Sequence, residues 1–159
     1  MVIGSRILCS ERLTDLIETE KTHPTSWGFI DWLKARLLKQ VNRISPLINL
    51  PNTALRNLRG NRWRGVRTFN LGVWREDFFA INGFDERFQG WGHEDADLAI
   101  RLIRYGVLRK DGQFALSVLH LWHRENDRSQ LTKNVDLLTS TLTSLSIRAQ
   151  VGITESAML

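Results

Sequence analysis

With 159 residues, 42% of them apolar, the chain can bury one modest core, which points to a single domain. A lone cysteine, Cys9, excludes an internal disulfide framework and suits a reducing compartment. No apolar run approaches the roughly 18 residues of a membrane span and the first residues do not form a signal peptide, so the expected location is the cytoplasm, at most peripheral to the inner membrane.

Met1 to Leu8 reads as a strand interrupted at Gly4-Ser5. Residues 10 to 21 resemble a capped helix with Leu13, Leu16 and Ile17 on one face, stopped by Thr22-His23-Pro24-Thr25. From Trp27 to Ile44, Phe29, Ile30, Leu33, Leu37, Leu38, Val41 and Ile44 recur at helical spacing, with Lys34, Lys39 and Arg43 mostly elsewhere on the wheel. This predicts an amphipathic basic helix. Core packing is one explanation of its apolar residues, and peripheral contact of 27–44 with an anionic membrane is the other. Leu47 to Gly60, with Pro51 and several asparagines, reads as a loop or short helix. Charge is segregated around this region: Trp32 to Arg75 holds ten Lys or Arg and no acid, whereas Glu76 to Asp97 holds seven acids against Arg87 alone. Such a basic block meets nucleic acid, an anionic lipid surface or a phosphorylated substrate, or is simply solvated. No motif supports nucleic acid, which is not expected as a partner.

Val66 to Val73 predicts a strand, with a bulge at Gly72 as one reading, and Phe78, Phe79 and Ile81 a short helix ended by Asn82-Gly83. In Phe88-Gln89-Gly90-Trp91-Gly92-His93-Glu94-Asp95-Ala96-Asp97, two glycines and an indole precede three carboxylates in four residues. The spacing of Leu98, Leu102 and Ile103 starts a helix there. An acidic first turn is what a helix N-terminus favours, with Asp95 or a neighbour as cap. The chemical alternative is that three crowded charges repel one another and so keep a proton affinity that suits a general base. Gly90 and Gly92 would let a ligand approach closely, and Trp91 offers a flat face for a sugar ring. The helix should run to Tyr105-Gly106, after which Leu108 to Leu121 alternates as a strand. His120 and His123 close that segment. Three apart on a strand they point to opposite faces, so both reach one ion only if the strand yields to a turn. Residues 129 to 149 predict a C-terminal helix, and the last ten residues look frayed.

Three ordered motifs, Asn82-Gly83-Phe84-Asp85-Glu86, Gly90-Trp91-Gly92-His93-Glu94-Asp95 and His120-Leu121-Trp122-His123, resemble the C-terminal half of a GT-A glycosyltransferase. The group resembled includes family 2 bacterial enzymes and the galactosyltransferase C-terminal domain. The likeness covers roughly residues 63 to 127, with a fainter match at Gly4-Ser5-Arg6. It implies an α/β chain with a partial GT-A (nucleotide-diphospho-sugar transferase-like) fold, a mixed sheet flanked by helices. Residues 1–127 would form the acceptor-binding and catalytic half, with a helical insertion at about 10–60, and 128–159 a C-terminal helix and tail. The implied reaction moves a hexose from a nucleotide-diphosphate sugar to a carbohydrate or lipid-linked acceptor with inversion. By the same resemblance Asp95 is the base, Glu94 an acceptor hydrogen-bond partner, and Trp91 with Gly92 the wall of the site. Asn70, Gly72 and Trp91, with Phe69 beside them, would face the donor. His123 would ligate the divalent ion, manganese or magnesium, that bridges the diphosphate, with His120 as a weaker or variable ligand.

The sequence departs from that family in lacking the N-terminal nucleotide-binding half with its Asp-x-Asp metal motif. Asp95-Ala96-Asp97 has the spelling but follows Gly-Trp-Gly and opens a helix, whereas the donor motif terminates an apolar strand, so it reads as the acceptor-side cluster. Metal and nucleotide are then expected to bind weakly through His123 and His120. The alternative function is a non-catalytic truncated fragment or binding module of such an enzyme. Truncation would also uncover a sheet edge and apolar surface, which favours self-association.

Overall fold

The computed structural model describes residues 1–50, 54–125 and 127–156. Its strands are β1 (Val2–Ile3), β2 (Ser5–Leu8), β3 (Leu71–Gly72), β4 (Lys110–Asp111) and β5 (Ser117–His120). Its helices are α1 (Glu11–Glu18), α2 (Phe29–Leu37), α3 (Arg75–Ala80), α4 (Glu94–Arg104), α5 (Leu131–Thr143) and α6 (Ile153–Ser156). One sheet is mixed, in the order β3-β1-β4, with β1 antiparallel to β3 and parallel to β4. The other pairs β2 and β5 in parallel, Ser5 opposite Ser117 through Leu8 opposite His120. The α/β class with a mixed sheet and helices is as expected. Among the described residues, no helix is long and apolar enough to cross a membrane.

Composition suggested one core, but the residues gather into two compact units, each discontinuous in sequence. The first comprises Met1–Ile3, Thr53–Asp111 and Glu125–Leu159. Its main cluster is Met1, Ile3, Val66, Ile81, Leu98, Ala99 and Leu102, and a second cluster joins Ala96 and Ile100 of α4 to Leu138 of α5. The second unit comprises Gly4–Asn52 and Gly112–Arg124, with Ile7, Cys9, Leu13, Trp32, Ala35 and Val41 at its centre. The chain leaves one sheet for the other at Gly4 and again at Gly112, so the two halves of each expected long strand serve different cores.

Several expected boundaries move, each for a local reason. The strand predicted over Leu108–Leu121 splits into β4 and β5 because Phe114 takes a left-handed φ of 63° and Ala115 and Leu116 both donate to the Gly112 carbonyl. The strand predicted over Val66–Val73 shrinks to β3. Thr68–Asn70 is instead a 3₁₀ turn, and Gly72 pairs regularly with Val2 without a bulge. The helix predicted over Trp27–Ile44 is only α2, since Leu38 caps it and Lys39 turns the chain at φ 56°. Val41 then bridges Cys9 as extended chain. Only Trp32 and Ala35 of α2 are buried, whereas Phe29, Ile30, Leu33, Leu37 and Leu38 are 72, 66, 40, 73 and 70% exposed. The apolar spacing therefore located a helix but not its inward face.

The end of the chain is ordered further than fraying implies. Asn82 Nδ2 donates to the Ala149 carbonyl, its Oδ1 accepts from the Thr154 amide and hydroxyl at 3.0 Å each, and Ala149 N–H donates to Ile81. Asn82 and Gly83 both have positive φ, so the expected left-handed stop after α3 is also the dock for residues 149–154. A methyl group on Gly83 would come within 2.7 Å of Ile153 Cδ1. Residues 51–53 of the expected 47–60 loop, and residues 157–159 of the tail, lie outside the described residues.

Candidate active site at the head of α4

Three left-handed residues within four positions deliver the carboxylates. Gly90, Gly92 and His93 have φ of 68°, 113° and 76°, and His93 is the N-cap of α4, with no side-chain cap. Neither Asp95 nor its neighbours cap the helix. A left-handed non-glycine residue is held there only by its surroundings. What the glycines admit is the protein's own chain: a methyl on Gly90 would meet the Asp127 carbonyl at 3.1 Å, and one on Gly92 would meet Leu131 Cδ1 at 3.0 Å. Buried Asn134 of α5 completes the clamp, donating to the Gln89 and Trp91 carbonyls at 2.9 and 3.3 Å. Sequence reasoning missed Asn134, because a polar residue inside a Ser/Thr-rich helix carries no sign of its partner.

The three acids are dealt to three different partners instead of crowding one another. Glu94 turns back to accept from the Gly92 amide at 3.0 Å. Asp97 is 2% exposed and held by Arg101 Nε and Nη2 at 2.9 and 2.6 Å, with Thr141 donating to its other oxygen at 2.7 Å. Arg101 also donates to the Ile81 and Gly83 carbonyls. Asp97 is thus a structural tie between α4, α5 and the Asn82-Gly83 turn, which removes it from the repulsion argument. Asp95 is half-buried, and its Oδ1 accepts from both the amide (3.0 Å) and the hydroxyl of Thr68. Its Oδ2 has no partner among the described residues. Thr68 was not singled out in the sequence, yet it begins the turn that holds Phe69 and Asn70, so it ties the acid to the expected donor-side segment.

Trp91 remains accessible, 42% exposed, with the guanidinium carbon of Arg128 4.5 Å from its ring centroid. Arg128 is itself paired with Glu125 at 2.7 Å. The guanidinium of the chain's own Arg128 thus lies over this ring in a cation–π contact. Asn70 is half-buried, and exposed Gly72 lines, with Met1, Val2, Val73 and Trp74, an apolar pocket of about 260 Å³.

His120 and His123, in the other unit, form a pair of their own. β5 ends at His120, so the strand yields to irregular chain as one shared ion would require, and the two Nε2 atoms lie 3.2 Å apart. That spacing suits neighbouring ligands on one ion, given imidazole–metal bonds of about 2.1 Å. His123 Nδ1 lies 2.8 Å from the Arg124 carbonyl, which can only accept, so Nδ1 carries the hydrogen and Nε2 the lone pair. Desolvation, with the charge of Arg6 and the neighbouring His123, holds the His120 pKa below the usual histidine value and so favours the neutral, ligating ring. The pair offers two nitrogens. Among the described residues no group of three or more His, Cys, Asp or Glu could hold an ion, so a metal here needs further oxygens from a ligand.

Residues 57–117 match a family model described as the N-terminal domain of galactosyltransferase. The chain is 42% identical over 45 residues to validoxylamine A glucosyltransferase of Streptomyces hygroscopicus subsp. jinggangensis (strain 5008), which is 28% of this chain and 11% of that protein. It is 36% identical over 69 residues to chondroitin sulfate N-acetylgalactosaminyltransferase 2 of Homo sapiens, 42% of this chain and 12% of that one. The chain therefore spans about a tenth of the length of the curated relatives it matches. No solved structure matches it. The matched stretch contains Thr68, Asn70, Gly72, Trp91, Glu94 and Asp95 and stops short of His120 and His123. Over residues 57–117 the chain is thus similar to glycosyltransferases, which agrees with the resemblance read from its motifs at that level and leaves the C-terminal-half designation an expectation.

Proposed function

We infer that this chain carries the acceptor-binding and catalytic half of an inverting, metal-dependent glycosyltransferase of the GT-A type. The observation that supports it most is Asp95: one carboxylate oxygen is anchored by two donors from Thr68, and the other has no partner among the described residues. A base must be oriented and yet have a free lone pair, and Asp95 meets both conditions. The acceptor ring rests on the accessible part of Trp91 with a hydrogen bond to Glu94, while Gly92, expected from the resemblance to share that wall, is buried against Leu131 and only shapes the turn. As the acceptor oxygen bonds to the anomeric carbon, its proton passes to Asp95 Oδ2, and the carbon–oxygen bond to the diphosphate breaks with its electron pair on the leaving group. Asn70 and Gly72 face the donor. Within their own unit, His123 with His120 would be the ligands of a divalent cation, manganese or magnesium, which when bound would supply Lewis-acid charge. Transferase names among the relatives support group transfer over a sugar-binding module. The acceptor is a carbohydrate or lipid-linked sugar, met in the cytoplasm or at the inner membrane surface.

The test is sugar transfer by this chain, alone and joined to a nucleotide-binding half, from UDP-sugars with manganese. Asp95→Asn is expected to lower kcat by about 10² to 10⁴-fold without changing the circular dichroism spectrum or Tm. Near-normal turnover in that variant refutes the assignment. Calorimetry of the chain with UDP and manganese separately reads whether the histidine pair contributes, through loss of the metal-dependent heat in His123→Ala.

A further inference from the structure

We propose that the outward face of α2 is a docking surface for an anionic lipid bilayer, an inference independent of the sugar-transfer reading. The buried side of α2 is narrow: Trp32 and Ala35 pack with Leu13 of α1, Ile7 and Val41, and Trp27 meets the Trp32 ring edge-on at 5.0 Å. The apolar residues that a core helix would bury are instead turned out. Phe29, Ile30 and Leu37 are each at least 66% exposed and Leu33 is 40% exposed, while Leu38 at the helix end is 70% exposed. At about 100° per residue, Phe29, Leu33, Leu37 and Ile30 fall within one arc of about 100°.

Charge complementarity selects the occupant. On the same wheel Lys34 and Arg36 fall on opposite borders of the apolar arc, and all three cations of the segment, Lys34, Arg36 and Lys39, are exposed. The single acid, Asp31, lies on the far side and is turned back to accept from the Gly28 amide at 3.0 Å. An apolar stripe bordered on both sides by cations, with its acid averted, is the arrangement of a helix lying in a membrane interface: side chains enter the acyl boundary while lysine and arginine meet phosphate headgroups. A protein partner would need its own ring of acids around an apolar groove, whereas a bilayer containing anionic lipid supplies both at once. For an enzyme with a lipid-linked acceptor, such contact would bring it to its substrate.

Co-sedimentation of the full chain with phosphatidylcholine vesicles, with and without phosphatidylglycerol, tests this. Binding is expected only with the anionic lipid, weakening as salt is raised from about 0.05 to 0.5 M. Phe29→Ser/Leu37→Ser and, separately, Lys34→Glu/Arg36→Glu are each expected to weaken it about tenfold or more with unchanged circular dichroism. No binding to anionic vesicles, or equal binding by both variants, overturns the proposal. So does a wild-type dimer in light scattering that Phe29→Ser/Leu37→Ser dissociates while vesicles stay unbound, which would make a second copy the occupant.

Discussion

Both α4 and α2 carry apolar residues at helical spacing, yet Ala96 through Leu102 of α4 are all buried while α2 buries only Trp32 and Ala35. α4 has company on two sides, the Met1–Ile3 cluster and α5, and it even buries an ion pair between them. α2 has company on one side and shows water the rest. Periodicity reports that a helix has distinct faces. Which face turns inward depends on what is there to cover it, a fact held elsewhere in the chain.

The contrast sharpens within α4, where Asp95 and Asp97 stand two residues apart with opposite surroundings. Asp97→Asn leaves Arg101 buried without its counter-charge and should cost about 3–5 kcal/mol in urea unfolding. Asp95→Asn should barely move that curve, since its role is proposed to be chemical. A comparable destabilisation in both variants would erase the distinction.

A smaller effect is expected at Asp85. Burial acts to raise its pKa, but the Arg87 side chain and backbone, the Gln150 amide and the Arg87 charge outweigh burial and hold it below the usual value of 3.8. A depressed folded-state pKa means that this contribution is present above the unfolded value and is lost as pH falls through the folded one. Stability should therefore drop on acidification below about pH 4, and Asp85→Asn should flatten that part of the profile while losing about 1–3 kcal/mol at neutral pH. An unaltered acid limb in the variant would show that other carboxylates govern it.

The smallest effect is expected in α2. Phe29→Ser/Leu37→Ser should shift unfolding by no more than about 0.5 kcal/mol per site, because solvated side chains add little to the core. A loss of several kcal/mol would mean that the face is packed after all and would reverse the comparison.

Much of the candidate site was legible from local chemistry. Glycines before a cluster of acids, followed by an apolar repeat, located the head of α4, and Asn82-Gly83 located the end of α3 because a left-handed stop is a one-residue property. The histidine pair was legible only conditionally, since its convergence required the strand to end at His120. Thr68, Asn134 and Arg128 were not legible, because each acts on a partner at least 27 residues away. The length of α2 was misread because Val41 and Ile44 continue its apolar rhythm while serving an extended segment after the turn at Lys39.

By itself the sequence determined the head of α4 and the stop after α3, that the acids gather at one N-terminus, and that charge is segregated along the chain, all of which follow from near neighbours. Only the tertiary structure decided that Asp97 is a buried tie and Asp95 an open carboxylate, that β1 and β2, parted where the sequence breaks the strand, join different sheets, and that α2 turns its apolar side to solvent. Those outcomes are set by which distant groups arrive to pair or cover each side chain, and the free energy of burial or pairing belongs to the contact and not to either residue alone.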